Sequence, residues 1–87
     1  MITFKNHHFW DVTSSDPKVN PDVFAYEMVA EDRIIHIYQI MPDMNVICIE
    51  YMGYDGVVRK IHEYFENKYH AVSRIYELQK MLKGVEV

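Results

Sequence analysis

Between Asp55 and Lys83 the apolar residues recur at helical spacing. Stepping at ~100° per residue, Val57, Val58, Ile61, Tyr64, Phe65, Val72, Ile75, Tyr76 and Leu82 share one sector, with Leu78 at its edge. Arg59, Glu63, Glu66, His70, Arg74 and Glu77 lie opposite. Asp55 is an N-cap type beside Gly53 and Gly56, and Gly84 stands where a terminating glycine would follow Lys80 and Lys83. The pattern predicts one amphipathic helix over 55–83. Lys68 and Gln79 interrupt its apolar sector. Lys68 reads as a snorkelling side chain, a kink near Asn67, or a contact to a partner's carboxylate.

Upstream the period shortens to that of strands. Ile2–Lys5 and Phe9–Val12 flank Asn6-His7-His8 and read as a small hairpin or one bent edge strand, with Phe4, Phe9 and Trp10 at the core or its rim. Thr13–Asp22 is rich in turn formers and reads as a loop. Val23–Ala30, Arg33–Met41 and Asn45–Met52 are β-branched and aromatic, with short connections. They predict an antiparallel meander over 23–52. The expectation is a single α+β domain over 1–87: 1–12 as N-terminal strand pieces, a three- to five-stranded antiparallel meander, and one long C-terminal helix packed on it.

Apolar matching sets a register. With Glu31-Asp32 as a two-residue loop, Met28 faces Ile35, Tyr26 faces Ile37 and Phe24 faces Gln39. With Pro42-Asp43-Met44 as a three-residue loop, Ile37 faces Ile49, Ile35 faces Tyr51 and Gln39 faces Ile47. Phe24, Tyr26, Met28, Ile35, Ile37, Ile47, Ile49 and Tyr51 then share the helix-facing side. On the outer face Glu27, His36 and Glu50 align as a polar row, either an ordinary cross-strand ion pairing or a pH-sensitive, ligand-contacting one. A helix of about 28 residues spans roughly 42 Å, whereas such strands reach only about 27–30 Å. Its second half therefore needs a packing partner, and the candidate partner-binding residues are Lys68, Val72, Ile75, Tyr76, Gln79 and Leu82.

Composition narrows the function. The 87 residues carry a formal net charge of −4, which disfavours a general nucleic-acid binder. A lone cysteine, Cys48, excludes an internal disulfide and fits a reducing compartment; its residue type and strand setting read as packing. No run is long enough for a membrane span, so no membrane role is expected. Adjacent His7 and His8 would point to opposite faces of a strand, and His62 and His70 are too far apart on a helix to share an ion. No phosphate loop, nucleophile elbow or metal pair is present. Catalytic residues, metals and cofactors are accordingly not expected.

The reading that remains is a cytoplasmic, non-enzymatic protein-binding module. Its partner would be another protein or a second copy of itself. A small stoichiometric inhibitor or adaptor, of the kind phages and other mobile elements encode, fits by analogy. The alternative is a small-ligand or nucleotide-binding protein that uses Tyr26, Tyr38, Trp10 and His36 around a homo-oligomer cleft. A structural subunit of a larger assembly is a third reading.

Overall fold

The computed structural model describes residues 1–9, 19–40 and 45–82. Their order is β1 (Ile2–Phe9), β2 (Val19–Val29), a 3-10 turn (Glu31–Arg33), β3 (Ile34–Gln39), β4 (Val46–Met52), β5 (Val58–Tyr64) and α1 (Lys68–Met81). The fold is α+β, with every strand pairing antiparallel and the C-terminal helix against the sheet. Trp10, the Pro42-Asp43-Met44 connection and Gly84 lie outside the described residues.

The largest departure from expectation is the segment 57–65, which is strand rather than helix. Asp55-Gly56 is a hairpin turn, not a helix start. Gly56 N–H donates to Gly53 O at 3.0 Å, Gly53 N–H donates to Val57 O at 2.9 Å, and Gly56 takes φ +80°. That conformation suits glycine and lets β5 fold back on β4. Asp55 accepts from Val57 N–H and from Arg59 at 2.6 Å, tying the turn to the returning strand. The pairing sets Ile49 against Ile61 and leaves β4 central, with Val46 to Ile49 all buried. A helix from Asp55 would have left one edge of that buried strand unpaired. Buried Ile61 and Glu63 alternate with the more exposed Lys60, His62 and Tyr64, the period of a strand.

The helix begins where Asn67 caps it, its side chain accepting from His70 N–H at 3.0 Å. Its 14 residues span only ~21 Å, so the expected overhang disappears. Ala71, Leu78 and Leu82 are buried, and Ile75 packs against the same core.

The expected meander of 23–52 holds in part. Ile37 faces Ile49 and Gln39 faces Ile47, as the apolar match predicts. A register shift between Ile34 and His36 then places Ile34, not Ile35, against Tyr51; Ile34 enters the core and Ile35 turns outward. β2 does not pair with β3. Its ladder is with β1, with Thr3 opposite Met28 and Lys5 opposite Tyr26. The reason lies in Glu31-Asp32: a two-residue hairpin needs positive φ, which no non-glycine residue adopts among the described residues. Glu31–Arg33 forms a 3-10 turn instead, and β3 starts a second sheet of order β3-β4-β5. Phe24, Tyr26 and Met28 consequently lie exposed on β2, not on the helix-facing side. Of the two readings of the N-terminal pieces the hairpin is absent: Ile2–Phe9 is one strand, with a register shift between His7 and Phe9.

Ile2, Phe4 and Val29 of the first sheet join Ile34, Ile37, Ile47, Ile49 and Ile61 of the second in one core under α1. Polar side chains make the joint between β1 and β5. Asn6 Oδ1 accepts from His62 N–H at 3.1 Å, His7 Nδ1 accepts from Tyr64 N–H at 3.3 Å, and Glu63 accepts from Lys5 N–H at 3.1 Å. The free edge of β5 is thus satisfied by side chains rather than by a ladder. Among the described residues, no helix is long and apolar enough to cross a membrane.

Candidate functional site

The outer face of the three-stranded sheet collects the densest polar chemistry. Cross-strand pairing aligns His36, Glu50 and Lys60 in one row and Tyr38, Cys48 and His62 in the next. Glu50 lies 3.9 Å from His36 Nδ1 and 3.8 Å from Lys60 Nζ. Tyr38 stacks on His36 at 4.7 Å between ring centroids, and its hydroxyl donates to Glu50 at 3.4 Å.

The expected row of Glu27, His36 and Glu50 therefore keeps two of its members. Glu27 lies in the other sheet, opposite Phe4, where it accepts from Asn6 and from Tyr51 at 3.2 Å. It is absent from the row because β2 pairs with β1. Lys60 takes the flanking place, so the row is one carboxylate between two basic residues rather than a histidine between two carboxylates.

Burial and hydrogen bonding tune this face toward neutral forms. Hydrogen bonding to Cys48, then burial, hold the Tyr38 phenol well above the usual tyrosine range. Burial pushes the Cys48 thiol up, which disfavours the reactive thiolate. Burial, aided by the Lys60 charge, lowers His62 below the ordinary histidine value of 6.5. Among the described residues, no group of three or more His, Cys, Asp or Glu side chains is placed to hold a metal ion.

The candidate partner-binding residues divide. Lys68, Val72, Tyr76 and Gln79 are exposed and, at spacings of four, four and three, run along one side of α1. Ile75 packs on the core and Leu82 is buried, so these two belong to the protein's own interior. Tyr69 joins the exposed stripe, with the Lys68 ammonium 5.6 Å from its ring. Tyr69 is 73% and Tyr76 62% exposed, both large aromatics left in water.

Two features escaped the sequence pattern. The first is the ion pair of Glu63 with Arg74, 3.1 Å long and drawn inside, in which the guanidinium also reaches Thr3 O and lies over Phe4. Eleven residues separate the two, so no helical or strand spacing links them; read as one helix, both fall on its polar side. The second is a cleft of about 410 Å³ lined by Met28, Tyr51, Gly53, Tyr54, Asp55 and Arg59. Arg33 packs over Tyr54 at 4.1 Å and fixes that side of the turn. The Asp55-Gly56 hairpin signal was the available clue to the cleft.

Tyr38 and His36 of the alternative ligand reading are neighbours, but Tyr26 is in the other sheet. Comparison of the chain with protein-family models, with curated proteins and with solved structures finds no match.

Proposed function

We propose that the chain is a non-enzymatic protein-binding module, an inhibitor or adaptor, that engages its target through the exposed stripe of α1. The observation that carries this reading is that Tyr69, Val72 and Tyr76 stay open to water on a sector of α1 roughly 100° round the helix from Ala71, Ile75, Leu78 and Leu82, which pack on the core. A tyrosine ring offers ~150–250 Å² of contact area at low entropic cost, and such rings anchor many interfaces. Lys68 and Gln79 flank the rings with polar groups suited to a rim. The reading matches a helix laid into a groove of the target. The buried Cys48, with its thiol pushed up, is the opposite of an activated nucleophile.

A photo-crosslinking side chain placed at Tyr76 tests the proposal, with Tyr54, the exposed tyrosine of the β4–β5 turn, as control. In extract of the native host, the probe at Tyr76 yields a discrete protein adduct and the probe at Tyr54 does not. Val72→Asp then removes the adduct while the far-UV circular dichroism stays native. Equal labelling from both positions, or none from Tyr76, overturns the reading.

A second reading has the Tyr51–Tyr54 cleft in its favour: a small planar ligand held between aromatic walls and Arg59. A thermal-shift screen with nucleotides, repeated on Tyr54→Ala, decides it.

A further inference from the structure

We propose that β2 is a dimerisation strand: its free edge pairs with β2 of a second copy, antiparallel about a two-fold axis at Tyr26. Among the described residues β2 is laddered on one side only, by β1. Along the run from Phe24 to Val29 no second ladder forms among the described residues, and the group that satisfies a row of strand donors and acceptors is another strand.

Among the described residues the other strand edges are poorer templates. Asn6, His7 and Glu63 span the gap between β5 and β1. β3 is only 6 residues long and has a register shift near its start. β2 is 11 residues long, and its run from Phe24 to Val29 is regular. That run contains no proline, lysine or arginine, the residues that commonly guard an edge.

The side chains identify the occupant as a second copy. Phe24, Tyr26 and Met28 lie exposed on one face, with Phe24 and Tyr26 edge-to-face at 5.3 Å. A two-fold axis at Tyr26 sets Tyr26 against its own symmetry mate and Phe24 against Met28 of the second copy. The seam then becomes one continuous row of six apolar side chains, with a sulfur–aromatic contact at each end. On the other face Ala25 meets Glu27 of the second copy, so no like charges stand opposite one another. Each copy has a net charge of −4, yet the seam is not where the repulsion concentrates. Glu27 is already engaged by Asn6 and Tyr51, and the Lys5 ammonium of each copy lies on the apolar face, 4.8 Å from the Phe24 ring. This surface is distinct from the helix stripe, so either proposal can fail alone.

The register gives a geometric test. At the axis, opposed Cα atoms are ~4.5–5.5 Å apart, inside the range a disulfide spans. Phe24 lies four residues from its own symmetry mate along the seam, or ~13 Å. Tyr26→Cys and Phe24→Cys each remove one exposed aromatic ring, but only the first can bridge two copies. In a glutathione redox buffer, full-length Tyr26→Cys forms covalent dimer on the order of tenfold faster than Phe24→Cys, while light scattering gives the unmodified protein a dimer mass. Cys48 is buried and serves as a common background. Equal rates for the two variants overturn the register. A monomer mass overturns the dimer itself, whether the β2 amides are then protected from hydrogen exchange by residues of the same chain or exchange freely.

Discussion

Glu63 and Arg74 are charges the fold has drawn inside, with side-chain exposures of 7% and 17%. A buried pair contributes little net stability, but breaking it leaves an uncompensated charge. Arg74→Met removes the cation while Glu63 still accepts from Lys5 N–H. The expected cost is about 3 kcal/mol, or a Tm lower by ~12–24 °C in a domain of this size. Glu77→Ala removes the other carboxylate on the same guanidinium, at 2.9 Å but exposed, and should cost under ~1 kcal/mol. Urea denaturation of both variants checks the contrast. His62 supplies a pH dependence. Its folded-state value lies below 6.5, so the unfolded chain binds the proton more readily. Stability from this group is complete above 6.5 and falls as pH drops from there toward the folded-state value. An NMR titration that places the His62 midpoint at or above 6.5 would contradict the burial that causes the shift.

At the scale of elements, two turns decide the topology, and each makes a prediction. Gly56 has φ +80° with open space where a side chain would stand, so Gly56→Ala costs only backbone strain, about 1–2 kcal/mol. Asn67→Ala removes the helix cap and costs about 1 kcal/mol. The first change should raise hydrogen exchange across β4–β5 and the second in the first turn of α1, a separation that exchange NMR resolves. These turns also show what was legible. Both hydrophobic runs were visible, as were the α+β class, the pairing of Ile37 with Ile49, and Asn67 as a possible break. The period of 57–65 misled because Val58, Ile61 and Phe65 fit a helical sector, while Ile61 and Glu63 also alternate as a strand. The tie is broken by Asp55-Gly56, which reads equally as an N-cap and as a hairpin turn until the partner strand is known. The pairing of β2 with β1 was harder still. It joins residues as far apart as Ile2 and Val29, and Glu31-Asp32 shows only which turn is disfavoured, not where the strand then goes.

At the scale of the whole molecule, the β1–β2 ribbon and the β3-β4-β5 sheet are held together by a shared core and a short polar joint. A two-stranded ribbon is marginal alone, so its order depends on that attachment. Ile2, Phe4 and Val29 supply the apolar part. Asn6 supplies the most concentrated polar part: its oxygen accepts from His62 N–H and its nitrogen donates to Glu27. Asn6→Ala therefore strands one strand N–H and takes one donor from a carboxylate that also accepts from Tyr51. Unsatisfied groups of this kind cost ~1–3 kcal/mol each. The loss falls on the attachment, not on the ladders within either sheet. The ribbon should then open at lower free energy than β3, β4 and β5, and its amides should exchange ahead of global unfolding. Native-state hydrogen exchange makes the comparison directly. If ribbon and sheet amides lose protection by the same amount in Asn6→Ala, the two sheets unfold as one unit and the apolar core alone couples them.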